Sequence, residues 1–154
     1  MAGSGKAHMR PDGDRVLTVE DLTVEFRLSK DKIVKAVSGI SFDLIRGETL
    51  AIVGESGCGK STLGRVISRL DTPSAGEIIF KGENIAGKSI SAMRPLRKSI
   101  QFIFQDPYAS LNPRRQIGAI VEEPLRINGI SKEERRSQAQ ALLERVGLDK
   151  GAYE

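Results

Sequence analysis

Nine consecutive residues, Gly54-Glu55-Ser56-Gly57-Cys58-Gly59-Lys60-Ser61-Thr62, constrain this chain more than any other stretch. They fit G-x-x-x-x-G-K-[ST], a glycine-rich loop whose backbone N–H groups cradle phosphates. What flanks the loop decides whether the pattern carries meaning. Before it, Thr49-Leu50-Ala51-Ile52-Val53 is a short apolar, β-branched run of the kind that forms a strand buried on both faces. After it, Leu63, Val66, Ile67 and Leu70 recur at helical spacing. Strand, glycine loop and helix in that order bring the loop N–H groups and the positive end of the helix to bear on one anion.

The chemistry of the loop assigns roles. The Lys60 ammonium reaches β- and γ-phosphates, the Ser61 hydroxyl ligates Mg²⁺, and Gly54, Gly57 and Gly59 let the backbone approach the phosphates. Thr62 adds a hydroxyl near the α-phosphate, while Glu55, Ser56 and Cys58 fill the variable positions of the binding loop. The expected ligand is ATP with Mg²⁺; the plain alternative is a glycine-rich turn ahead of an ordinary helix. Cys58 is the single cysteine, so no intramolecular disulfide forms, which fits a reducing compartment. It reads as a small residue of the loop, open to alkylation beside Lys60 and a helix N-terminus.

Composition excludes several other classes. With 154 residues, 39% hydrophobic and 29% charged, the chain is long enough for one domain with a core and is not disordered on a large scale. The net charge of +4 is spread among acidic residues, in pairs such as Arg97-Lys98, Arg114-Arg115 and Arg135-Arg136. A nucleic-acid surface would gather such charge in one stripe with aromatics, so no nucleic-acid partner is expected. No apolar run approaches the roughly 18–20 residues that span a bilayer, and the start lacks the apolar segment of a secretory signal. Any membrane association is therefore expected to go through a partner. Residues 1–9, with His8 and Met9, read as a tag or cloning remnant, leaving 10–154 as the domain.

Alternation of apolar residues predicts strands around Leu17 and Val19, around Leu22, Val24 and Phe26, and around Ile40, Phe42 and Leu44, with Gly47 turning the chain toward the loop. These form an antiparallel layer beside the nucleotide core. Glu77 to Lys81 and Ile100 to Phe104 read as further strands, the latter ending at Gln105-Asp106-Pro107. Ile117, Ile120, Val121 and Leu125 predict a helix that Pro124 ends or kinks. Ser131 and Glu134 form a capping box ahead of a helix with Ala139, Leu142, Leu143 and Val146 on its apolar stripe, and Gly147 stands at its C-cap.

Two strings together, the loop at 54–62 and Ile103-Phe104-Gln105-Asp106-Pro107-Tyr108-Ala109-Ser110-Leu111-Asn112-Pro113-Arg114, resemble the ATP-binding subunits of ABC transporters. The second string is similar to the dipeptide, oligopeptide and nickel importer branch, and the resemblance covers roughly Leu17 to Glu154. It implies an α/β fold: a P-loop NTPase, specifically an incomplete ABC-type nucleotide-binding domain. An antiparallel β layer would join a partial parallel core sheet and the start of a helical subdomain at about 113–150. By resemblance Gln105 is the Q-loop glutamine, catalytic together with Lys60 and, through its side-chain carbonyl, a Mg²⁺ ligand beside Ser61. Phe26 corresponds to the adenine-stacking aromatic, although an aromatic there could also be core.

The resemblance also implies partners. These are transporter membrane subunits, docking through the Asp106 to Arg114 region, and a second ATP-binding subunit in a homo- or heterodimer. The protein would sit peripherally at the cytoplasmic face of the membrane without touching the solute. The family's Leu-Ser-Gly-Gly-Gln signature, its Asp-Glu strand end and its switch histidine do not occur in these residues. The expectation is a full-length ATP hydrolase that energises import of peptides or related solutes, and a 154-residue chain that binds ATP without meaningful turnover. Without later parallel strands, the strand at Thr49 to Val53 is expected to lack some of its neighbours and to expose edge and apolar surface, with self-association or partial disorder as the result. The rival readings are a non-transport ABC-type ATPase or nucleotide-binding interaction module, and a small P-loop kinase.

Overall fold

The computed structural model describes residues 9, 14–106 and 111–153. They fall into two compact units that divide between Phe102 and Ile103.

In the first unit, the alternating runs become a long antiparallel hairpin, β1 (Arg15–Arg27) and β2 (Ile33–Ile45). Its register places Val19 opposite Phe42, Val24 opposite Val37 and Phe26 opposite Val34. On the other side of β1 lies β3 (Ala75–Phe80), antiparallel, with Val19 opposite Ile78. The short β4 (Glu83–Asn84) completes a sheet of order β2-β1-β3-β4. Lys81 (φ 51°) and Gly82 (φ 82°) make the two-residue turn between β3 and β4, and positive φ at both positions is what a type I′ hairpin requires. Helix α1 (Lys60–Ile67) buries Leu63 and Val66 in a core built from Val19, Leu22, Val24, Val37, Ile78, Ile85 and Met93. One-turn helix α2 (Ile90–Met93) follows, capped by the Ser89 hydroxyl, which accepts from the Ala92 N–H. A 3₁₀ turn at Pro95–Lys98 comes next.

The second unit holds helices α3 (Ile117–Ile127) and α4 (Lys132–Arg145) and a 3₁₀ turn at Lys150–Tyr153. The Ser131 hydroxyl accepts from the Glu134 N–H at 3.3 Å, so the capping-box serine acts as expected. At the other end of α4, Gly147 (φ 81°) and Leu148 donate to the Glu144 and Leu143 carbonyls, a Schellman closure. Gly118 in α3 is required by contact: an added Cβ would lie 2.5 Å from the Tyr153 ring.

Several expectations are corrected. Thr49 to Val53 is irregular coil and not a strand, with Ile52 and Val53 exposed by 46% and 92%. Ile100 to Phe104 is likewise coil, and every strand pair among the described residues is antiparallel. The reason is physical. A parallel strand takes its hydrogen bonds from neighbours far away in sequence, and none of the described strands lies beside these runs. Of the two outcomes expected at Pro124, an end or a kink, the end does not occur: α3 continues to Ile127, and a proline so near the C-terminus removes a single N–H bond from the last turns. The apolar stripe of α4 is narrower than expected: Ala139 and Leu143 are buried, while Leu142 and Val146 are exposed.

Candidate functional site

The glycine loop runs from the turn at Gly47 into α1, and β2 is the wall it rests on. Gly59 caps α1 in the left-handed region (φ 95°), and a Cβ on it would sit 2.1 Å from the Ala36 carbonyl oxygen. Glycine alone allows both the backbone angle and the close approach. Gly57 is also left-handed (φ 80°), and a Cβ on Gly54 would lie 2.7 Å from the Cys58 Sγ. The three glycines expected to give the backbone access thus each do geometric work in the loop.

Lys60 folds back over this loop. Its Nζ donates to the Gly54 carbonyl at 2.8 Å and the Glu55 carbonyl at 2.6 Å, and lies 3.6 Å from the Cys58 Sγ. The N-cap of α1 has no side-chain acceptor, and its first turn holds no acidic residue. The opening N–H groups of a helix have no intrahelical partner, so the end of α1 keeps its positive field.

A cavity of about 290 Å³ opens at this point, lined by Val34, Lys35 and Ala36 of β2 and by residues 57–62. This lies just below the roughly 300–1,000 Å³ of small-molecule sites. Two lysines and no carboxylate line it, which favours an anion. Lys35 also faces Glu25 across the hairpin, with Nζ 3.4 Å from the carboxylate. Sequence reasoning missed Val34, Lys35 and Ala36. No local motif marks them; only the tertiary approach of Gly59 to the Ala36 carbonyl brings β2 to the loop.

The expected residues therefore separate. Gly57, Cys58, Gly59, Lys60, Ser61 and Thr62 line the cavity, Gly54 and Glu55 hold the Lys60 ammonium, and Ser56 lies between them in the exposed loop. Phe26 is not a lining residue, but it is 42% exposed and so is not core. Gln105 is exposed and belongs to the second unit, whereas the cavity is built within the first. Of the region expected to meet membrane subunits, Pro107, Tyr108, Ala109 and Ser110 lie outside the described residues, and Leu111 to Arg114 is exposed loop. Among the described residues no group of three or more His, Cys, Asp or Glu side chains is placed to hold a metal. Magnesium does not need such a group, since it keeps several waters and binds largely through substrate phosphates, and the Ser61 hydroxyl is the loop oxygen that would be offered to it.

At the far end of α1, Arg65 Nε and a terminal nitrogen donate to the two Asp71 carboxylate oxygens at 2.7 and 3.1 Å. That hydrogen bonding holds the Asp71 carboxyl below the usual carboxylate range.

The model of the ABC transporter family matches residues 37–154. The chain belongs to the ABC transporter family. Over 125 residues it is 48% identical to the dipeptide transport ATP-binding protein DppF of Escherichia coli (strain K12), covering 80% of this chain and 37% of that protein. Over 144 residues it is 49% identical to the glutathione import ATP-binding protein GsiA of Salmonella paratyphi A, covering 89% of this chain and 23% of that protein. The ABC chain thus spans well under half the length of these curated relatives. Among solved structures it is similar to a dimeric ATP-binding cassette in a post-hydrolysis state bound to ADP and Pi, with a TM-score of 0.76 and 26% identity. That match covers 89% of this chain and 60% of the cassette. The fold is accordingly that of an ABC-type P-loop cassette, present here as its antiparallel layer, phosphate loop and helices.

Proposed function

We propose that this ABC chain is the ATP-binding part of a subunit that energises import of peptides or related solutes. One observation carries the reading: Lys60, Ser61 and Thr62 line a single electropositive cavity at the uncapped N-terminus of α1. On binding, the Lys60 ammonium exchanges the Gly54 and Glu55 carbonyls for β- and γ-phosphate oxygens, and the loop N–H groups take the remaining phosphate oxygens. Ser61 supplies an oxygen to Mg²⁺, and Gln105 a second. Phe26 stacks on the adenine from the edge of the hairpin. In the whole protein Lys60 and Gln105 serve ATP hydrolysis. A second ATP-binding subunit and membrane subunits, met through residues 106–114, are the partners at the cytoplasmic face. The transport and import roles printed for the relatives support the solute class. No helix among the described residues is long and apolar enough to cross a membrane, which accords with a peripheral subunit.

A fluorescent-ATP titration with and without Mg²⁺, on this chain and on Lys60→Ala, tests the reading. Loss of a charge-assisted hydrogen bond is worth about 1.5–3 kcal/mol, so affinity should fall roughly ten- to a hundredfold in the variant. Binding that is absent, or indifferent to Lys60, would overturn it.

A further inference from the structure

The helix that carries the phosphate loop is held at its other end by an arginine the loop motif does not include. Helix α1 stops at Ser68, and Arg69 follows in the left-handed region (φ 55°), a conformation unfavourable for a side chain of this size. The closing backbone bonds, from Arg69 N–H to Val66 and from Leu70 N–H to Arg65, leave the Ser68 and Arg69 carbonyls pointing on past the helix. Arg97 takes both. Its two terminal nitrogens donate to the Ser68 carbonyl at 2.5 Å and the Arg69 carbonyl at 2.7 Å. The Arg69 guanidinium reaches the opposite way, to the Asp71 and Lys88 carbonyls at 3.0 and 2.9 Å.

The same segment touches α1 a second time. Phe102 packs on Gly64, where an added Cβ would lie 3.3 Å from the ring. Arg97 and Phe102 therefore grip the end and the middle of a helix of 8 residues, whose first residue is Lys60. A rigid α-helix of that length spans about 12 Å at roughly 1.5 Å per residue, so a restraint on its C-terminus is felt at the phosphate loop.

We propose that Arg97 is a positioning residue for nucleotide binding: by holding the Ser68 and Arg69 carbonyls it fixes α1 so that residues 57–62 keep the geometry that accepts phosphate. This rests on the nucleotide reading above. It adds that residues 97–102, through Arg97 and Phe102, set the helix that carries the phosphate loop. Arginine is suited to the task because its planar fork satisfies two carbonyls at once, which the lysine ammonium does with less fixed direction.

The test compares the unaltered 154-residue chain with Arg97→Met, Arg97→Lys and the core control Ile78→Ala, a residue fully buried on β3 away from the cavity lining. Fluorescent-ATP dissociation constants, thermal midpoints and hydrogen exchange of residues 54–67 without nucleotide are measured below each midpoint. Arg97→Met should weaken ATP about tenfold, equivalent to roughly 1.4 kcal/mol, and speed exchange of the Leu63 N–H, which donates to Gly59 at 2.8 Å. Arg97→Lys should recover part of both, and Ile78→Ala should lower the midpoint with affinity within about twofold of the unaltered chain, a change of under roughly 0.5 kcal/mol. Unchanged affinity in Arg97→Met, or affinity that tracks the midpoint in all variants alike, overturns the proposal and leaves Arg97 a helix cap. Should Arg97→Met fail to fold, Arg97→Lys against Ile78→Ala decides by the same criterion. No binding by the unaltered chain overturns the nucleotide reading and this one with it, a result distinct from a chain that binds ATP without regard to residue 97.

Discussion

Gly59 and Gly57 share a left-handed backbone but not a neighbourhood, and the difference separates strain from seating. At Gly59 the Ala36 carbonyl oxygen occupies the space of a side chain, whereas around Gly57 nothing lies within 4 Å of an added Cβ. Alanine at position 57 thus meets only the cost of the left-handed conformation, about 1–2 kcal/mol. Alanine at position 59 meets that cost and must also push the loop off β2. Gly59→Ala should therefore lower the thermal midpoint further than Gly57→Ala and abolish ATP binding, while Gly57→Ala retains saturable binding. Equal midpoints and equal affinities for the two variants would show that contact with β2 does not set the loop. Residue-scale chemistry of this kind was legible in the sequence, because the motif specifies where backbone must come close. The wall it comes close to was not, since Val34, Lys35 and Ala36 carry no motif.

Among the elements, α3 and the turn before it carry the clearest pH dependence. Glu123 accepts from Arg115 at 3.1 Å and from Arg126 at 2.5 Å, and these hydrogen bonds hold its carboxyl at about 2, below the usual 4.5. A carboxyl lowered on folding stabilises the folded form above its unfolded value, and that contribution is lost as pH falls between about 4.5 and 2. Helicity at 222 nm should accordingly melt at a lower temperature at pH 3 than at pH 6. Glu123→Gln should flatten that difference, and added salt should shrink it because the group keeps a third of its side-chain surface open to solvent. A variant that keeps the full pH dependence would move the effect to other carboxyls. Elements defined by local signals were readable in advance: the Ser131 cap, the Gly147 closure and the alternation of β1 and β2 each follow from residues near in sequence. Thr49 to Val53 was not. Its composition suits a buried strand, but its partners would be distant segments, and with none of the described strands beside it the apolar run stays open.

At the scale of the whole molecule, that open run has consequences. Ala51, Ile52 and Val53 are exposed in irregular backbone, Val53 almost completely, and no strand pairs with them among the described residues. In the second unit Ile103 is 91% exposed in a similar stretch. An apolar run whose backbone lies outside any sheet is a site at which another chain can pair or pack. Burial of apolar area returns about 25 cal/mol per Å², so two such runs covering roughly 200 Å² between them gain about 5 kcal/mol before the cost of association. That gain supports weak, concentration-dependent association and not a permanent dimer. Light scattering after size exclusion should give a mass above 16.8 kDa that rises with loading concentration, and Val53→Lys should bring it back toward the monomer. Because residue 53 does not line the cavity, ATP affinity of the monomeric fraction should be unaltered by that change. A chain that elutes as a monomer at every concentration would overturn the association. A Val53→Lys variant that associates as before would place the contact elsewhere.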